Sequence, residues 1–188
     1  MKTKIISSIF SCLLILGMMI PGAAVAGGNG KGLDYKLTSN GTVIEIAFDT
    51  NSDGFNANVA TQSAKGTFGQ ADSVVLTEFR PPLVPVTGLC ETDEYLYLEV
   101  LFSKGVITYT NGDELITSSG SGYICLNFAT GDYEGLLEGV FDGGTGRFEY
   151  AHGPVESRFS GRNLTFPDGI PLGFATINGV TTGTLYLK

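Results

Sequence analysis

The chain has 188 residues, 27 glycines, no tryptophan and a formal net charge of −8 from 19 acidic and 11 basic groups. An acidic surface repels phosphate backbones and anionic lipid headgroups, which argues against a nucleic-acid or membrane-surface partner. One histidine among 188 residues argues equally against a zinc centre.

The N-terminus reads as an export signal. Lys2 and Lys4 precede an apolar run over residues 5–20, then Pro21-Gly22 and the small-x-small triplet Ala24-Val25-Ala26. Cleavage is expected after Ala26. A retained anchor is the weaker reading, because the run falls short of the ~20 residues that span a bilayer. Processing leaves 162 residues with a net charge of about −10, enough for one domain and its own core. Residues 27–32 are expected to be a flexible leader and 33–188 a single domain, with no stable membrane insertion after processing. The expected location is the periplasm or the outside of a bacterial cell. Cys12 leaves with the signal, and an oxidising compartment favours pairing of Cys90 with Cys125 over two buried free thiols.

Leu33, Tyr35 and Leu37 alternate with Asp34 and Lys36, the period-two pattern of a strand. Asn40-Gly41 predicts a hairpin turn into Ile44, Ile46 and Phe48. Next comes Asp49-Thr-Asn-Ser-Asp-Gly54. Asp49, Asn51, Asp53 and Gly54 hold positions 1, 3, 5 and 6 of a calcium-loop pattern, where alternate oxygen ligands and a glycine at the bend suit the ion. Position 12 is Ala60 instead of glutamate, so a plain polar turn competes with the metal loop.

Residues 67–79 predict a long strand. The prolines of 80–88 predict a surface loop. Residues 89–104 contain no glycine or proline and read with period two: Leu96, Leu98, Val100 and Phe102 on one face, Tyr95, Tyr97 and Glu99 on the other. Strands over 106–110 and 115–118 flank Asn111-Gly112. Strands over 123–128 and 133–141 flank Ala-Thr-Gly-Asp, strands over 147–150 and 155–160 flank His-Gly-Pro, and strands over 174–177 and 182–187 flank Asn178-Gly179. That makes about ten strands at short spacing, the mark of a barrel or a sandwich. Closure is physically attractive, because an open sheet of this size leaves edges that invite aggregation.

Gly143-Gly-Thr-Gly-Arg-Phe148 resembles a segment of dirigent proteins and, more loosely, of allene-oxide-cyclase-like barrels. Tyr123-Ile-Cys-Leu-Asn-Phe-Ala-Thr-Gly131 and Lys65-Gly-Thr-Phe-Gly69 resemble segments of a class of exported bacterial proteins of unassigned function. The matching segments cover about a quarter of the processed chain. The resemblance implies an eight-stranded antiparallel barrel with a central cavity. It carries no catalytic residue across, since no position here matches one. The glycines of the motif read as a structural turn.

The candidate catalytic groups are Glu99, Glu134 and Glu138. Glu134 and Glu138 share one strand face about 13 Å apart, beyond the roughly 5–10 Å of glycosidase pairs. Glu99 on another strand would have to complete an acid–base pair inside the lumen; on the outer wall all three are simply polar surface. His152 falls in a turn without a partner. Tyr95, Tyr97, Tyr123 and Tyr133 are candidate ligand contacts, since aromatic rings lining a barrel suit an apolar ligand, although tyrosine is also an ordinary strand residue. The fold expected is all-β, a single antiparallel barrel of about eight to ten strands, with a sandwich as the alternative. The role expected is non-catalytic binding of a small apolar ligand or a surface partner. The alternatives are a cavity enzyme (a cyclase, isomerase or dirigent-like protein) and a calcium-stabilised structural module; no cofactor other than calcium is expected.

Overall fold

Eight long strands carry the alternation. In the computed structural model, which describes residues 30–46, 49, 54, 56–81, 90, 95–127, 129–165 and 171–188, they are β1 (Leu33–Ile46), β2 (Ala57–Gly66), β3 (Gly69–Arg80), β4 (Tyr95–Tyr109), β5 (Glu114–Asn127), β6 (Asp132–Gly144), β7 (His152–Thr165) and β8 (Pro171–Leu185). Each pairs antiparallel with its chain neighbour, and β8 returns to β1, so the sheet closes with no free edge. The export segment lies outside the described residues, as do residues 27–29 of the leader and 82–88 of the proline-rich segment.

The ladder is staggered. A path across it from Glu45 runs through Asn58, Thr77, Ser103 and Ser119, and on by Gly139, Val155 and Gly183 to Tyr35, ten residues lower on β1. Each step therefore descends by about one and a quarter residues. A tilted barrel of eight strands has an interior that its own side chains can fill or that can hold one small ligand.

The strand count corrects several boundaries. Asn40-Gly41 lies inside β1 and Asn178-Gly179 inside β8, and Asn40 pairs directly with Asn178. An Asn-Gly pair turns the chain only where its backbone lacks ladder partners. Here Gly41 also faces Gln62 of β2, so the strand runs straight through. Asn111-Gly112 does turn, with the Gly112 amide donating to the Tyr109 carbonyl at 2.8 Å. β2 carries three alanines and Val59 as its one large apolar residue, so no alternation of large apolar side chains announces it. Residues 147–150 are not a strand, since a single 3-10 turn occupies Gly146–Phe148. Register shifts between Glu78 and Phe79 leave Leu101 of β4 as an extra residue. The alternation flips there, so Leu98 and Ser103 both point inward while Phe102 points outward.

The lower end is closed by apolar packing. Tyr35, Leu37, Tyr109, Leu115, Phe141 and Phe148 are buried together. The Gly143–Phe148 stretch forms the plug. The Thr145 amide donates to the Glu114 carbonyl at 2.8 Å, and the Glu114 amide donates to Thr145 Oγ1 at 2.9 Å. This seats Phe148, which is fully buried, across the floor. Arg147 donates to Asp113 at 2.7 Å and lies over the Phe68 and Phe148 rings at 5.5 and 5.3 Å. Gly146 has φ +57°, and any side chain there would collide with the Asp113 carboxylate. Glycine is therefore required by both conformation and space.

Cys90 and Cys125 form a disulfide, with Cα atoms 5.6 Å apart. Cys125 lies on the outer side of β5, between the inward-facing Ile124 and Leu126.

Candidate functional site

Inward positions of the strands are layered by the stagger. Directly above the plug, Ser39 (β1), Gln62 (β2), Ser73 (β3), Thr117 (β5), Ser157 (β7) and Thr181 (β8) fall at nearly one height, given the descent of the ladder. Above that polar belt the wall is mostly apolar, built by Val43, Val75, Phe79, Leu98, Ile124, Leu126 and Phe159 and interrupted by Asn58, Thr77, Ser103 and Asn163. Together they enclose a cavity of about 350 Å³, within the range of small-molecule sites.

Belt groups bond to one another. The Ser39 hydroxyl donates to Gln62 Oε1. The Ser157 and Thr181 hydroxyls are 2.8 Å apart. Slightly higher, Thr77 and Ser103 are 2.9 Å apart. Tyr133 lies along the upper wall and donates its hydroxyl to the Thr176 carbonyl at 2.6 Å. Burial pushes that phenol above its ordinary range. Glu45 is the one carboxylate among the described lining residues. It sits at the rim, where it accepts from Asn56 Nδ2 at 2.8 Å.

Of the four tyrosines named from the sequence, Tyr133 alone lines this cavity among the described residues. Tyr95, Tyr97 and Tyr123 take the opposite phase of their strands and face outward. The Tyr97 and Tyr123 rings stack at 5.9 Å. Burial, the Glu99 carboxylate and Tyr123 hold the Tyr97 phenol above its usual value. The three glutamates are not brought together in the lumen. Glu99 lies on the outer side beside Arg80 at 3.4 Å, and Glu134 and Glu138 are exposed on the outer wall of β6. Asp49 accepts from the Gly54 amide at 2.7 Å; Asn51 and Asp53 lie outside the described residues. Among the described residues no group of three His, Cys, Asp or Glu side chains is placed to hold a metal. His152 opens β7 and stacks on Tyr186 at 5.3 Å.

A second hollow, about 520 Å³, crosses the outer wall between Tyr123, Glu134, Arg158 and Asn178. Its larger volume is that of a surface groove open to water along its length. The enclosed lumen is the better candidate. The belt and Glu45 escape a reading of the sequence, because small hydroxyl residues such as those of 117–121 look like a loop. Their only signal is the placing of Ser, Thr and Gln at every second position of segments that prove to be strands.

No family model matches the chain, and no curated protein matches it. Among solved structures the chain is similar to a pterocarpan synthase dirigent protein, at 10% identity, over 86% of this chain and 88% of that one, with a TM-score of 0.42. A likeness of that size assigns neither family nor function.

Proposed function

We propose that this is an exported, non-catalytic barrel that binds one small, largely apolar ligand in its lumen. The observation that carries the reading is the cavity of about 350 Å³, walled by apolar side chains and closed below by the Phe148 plug. Burial of a ligand's apolar surface there contributes about 25 cal/mol per Å² removed from water.

Other features support it. Glu99, Glu134 and Glu138, the carboxylates considered for acid–base chemistry, lie on the outer wall, and Glu45 at the rim has no second carboxylate beside it among the described lining residues. The wall's outer side is mixed: Lys36, Lys65, Asp72 and Lys104 are exposed beside Val74, Val140 and Val180, so charges interrupt any apolar band. A membrane barrel carries an uninterrupted apolar band on its lipid-facing side. The disulfide suits an oxidising compartment and so favours export.

Native mass spectrometry of the mature protein, purified from its own host, tests the reading. A retained small molecule that is lost on denaturation is the expected result. A ligand-free protein that also fails to bind the neutral apolar probe N-phenyl-1-naphthylamine would overturn it.

A further inference from the structure

The lumen is polar at its floor, where the groups are uncharged, and mostly apolar above, with Glu45 at the rim. Two hydroxyls hold two hydrogens, and the bond between them uses one. The Ser157–Thr181 pair on the floor therefore keeps one O–H to donate, and the Thr77–Ser103 pair, higher on the wall, keeps another. Gln62 accepts from Ser39 through its carbonyl oxygen, which leaves both hydrogens of its amide nitrogen. The floor thus offers donors and acceptors together.

We propose that the ligand is an uncharged amphiphile, bound with its hydroxyl, carbonyl or amide head on this floor and its apolar body against Val43, Val75, Phe79 and Leu98. This rests on the proposed binding in the lumen and specifies the ligand's class and orientation.

The chemistry excludes the neighbouring classes. A carboxylate brought to the floor would lose its hydration with no cation to receive it. Arg158 contributes to the lining, but its guanidinium belongs to the outer wall, where it bonds Glu156 at 2.7 Å and is 67% exposed. At the rim a carboxylate would meet Glu45, a like charge. A plain hydrocarbon would displace water from the belt and return no hydrogen bond, which loses affinity. A neutral polar head meets neither cost. Below the floor, Tyr35 and Tyr109 bond to each other at 3.0 Å within the apolar plug, so the head goes no deeper.

The test compares 1-decanol, decanoate at pH 8 and decane, which share one chain length and differ in the head. Each displaces N-phenyl-1-naphthylamine from the full mature protein. Decanol is expected to act at a concentration at least about tenfold lower than either of the others, the scale of one or two hydrogen bonds. Decanoate or decane matching decanol would overturn the orientation while leaving lumen binding intact. Failure of all three to displace the probe would overturn both. A Gln62→Leu, Ser157→Ala, Thr181→Val variant removes the floor amide and both hydroxyls of the pair, and its strand circular-dichroism signal reports whether it folds. Folded, it is expected to lose most of the preference for decanol over decane; an unchanged preference in the folded variant would also overturn the proposal.

Discussion

Tyr35 and Tyr109 fix the base of the lumen as a pair. Each ring fills the apolar plug, and each hydroxyl finds its partner in the other at 3.0 Å. Burial raises both phenols above their ordinary value of 10.0. A phenol that ionises less readily when folded contributes stability that is complete below about pH 10 and fades as the pH rises past it. The melting temperature is therefore expected to fall above pH 10. Tyr35→Phe should lower stability by about 1–2 kcal/mol at neutral pH, since it leaves the Tyr109 hydroxyl buried without this partner. The same variant should then lose less stability than the wild type between pH 9 and 11. Differential scanning calorimetry across that range checks both, and parallel curves for the two proteins would refute the assignment. At this scale the sequence announces which residues alternate but not which side of each alternation faces in. Tyr97 and Tyr133 look alike on paper. The first faces out and the second in, because inward phase depends on closure and on the extra residue Leu101, and neither leaves a mark in the local pattern.

Two Asn-Gly pairs with opposite fates show the limit at the scale of the element. Gly112 turns the chain with φ +87° and has open space around its Cα. Gly41 lies in an extended ladder, where an added Cβ would overlap the Thr61 carbonyl of the neighbouring strand. Both read as hairpin signals, and only the pairing partners distinguish them. The two replacements by alanine should differ accordingly. Gly112→Ala meets only the left-handed backbone penalty, about 1–2 kcal/mol. Gly41→Ala must push two strands apart against a close-packed wall, at about 3 kcal/mol. Urea unfolding of the two variants measures the difference. Equal losses, or a greater loss at Gly112, would mean that residues 40–41 turn after all. The Gly143–Phe148 stretch is the converse case. Its glycines announce a turn, but nothing local announces that Phe148 will close the barrel and that Arg147 will cover it.

On the scale of the whole molecule, the class and the closure are legible. Period-two alternation, dense glycine and the need to bury edges point to one sheet curled on itself. The lumen's contents are not legible, because its floor is made of serines, threonines and a glutamine from six strands that meet only through the stagger of the ladder. What holds that arrangement is the ladder itself, with the Cys90–Cys125 bond as a local brace. The disulfide closes a loop 35 residues apart in sequence, enclosing all of β4 and most of β5. Loop-entropy reasoning gives it roughly 3–4 kcal/mol. For a domain of this size that corresponds to about 10 °C in melting temperature. β4 and β5 stay paired on both sides of the bridge, from Tyr95 with Asn127 to Thr108 with Glu114, so the register does not depend on it. A Cys90→Ser, Cys125→Ser variant is therefore expected to melt about 10 °C lower, yet to keep its strand circular-dichroism signal and its binding of N-phenyl-1-naphthylamine at 25 °C. A variant that lost the strand signal at that temperature would show that the cross-link, and not closure of β8 onto β1, holds the walls of the lumen in place.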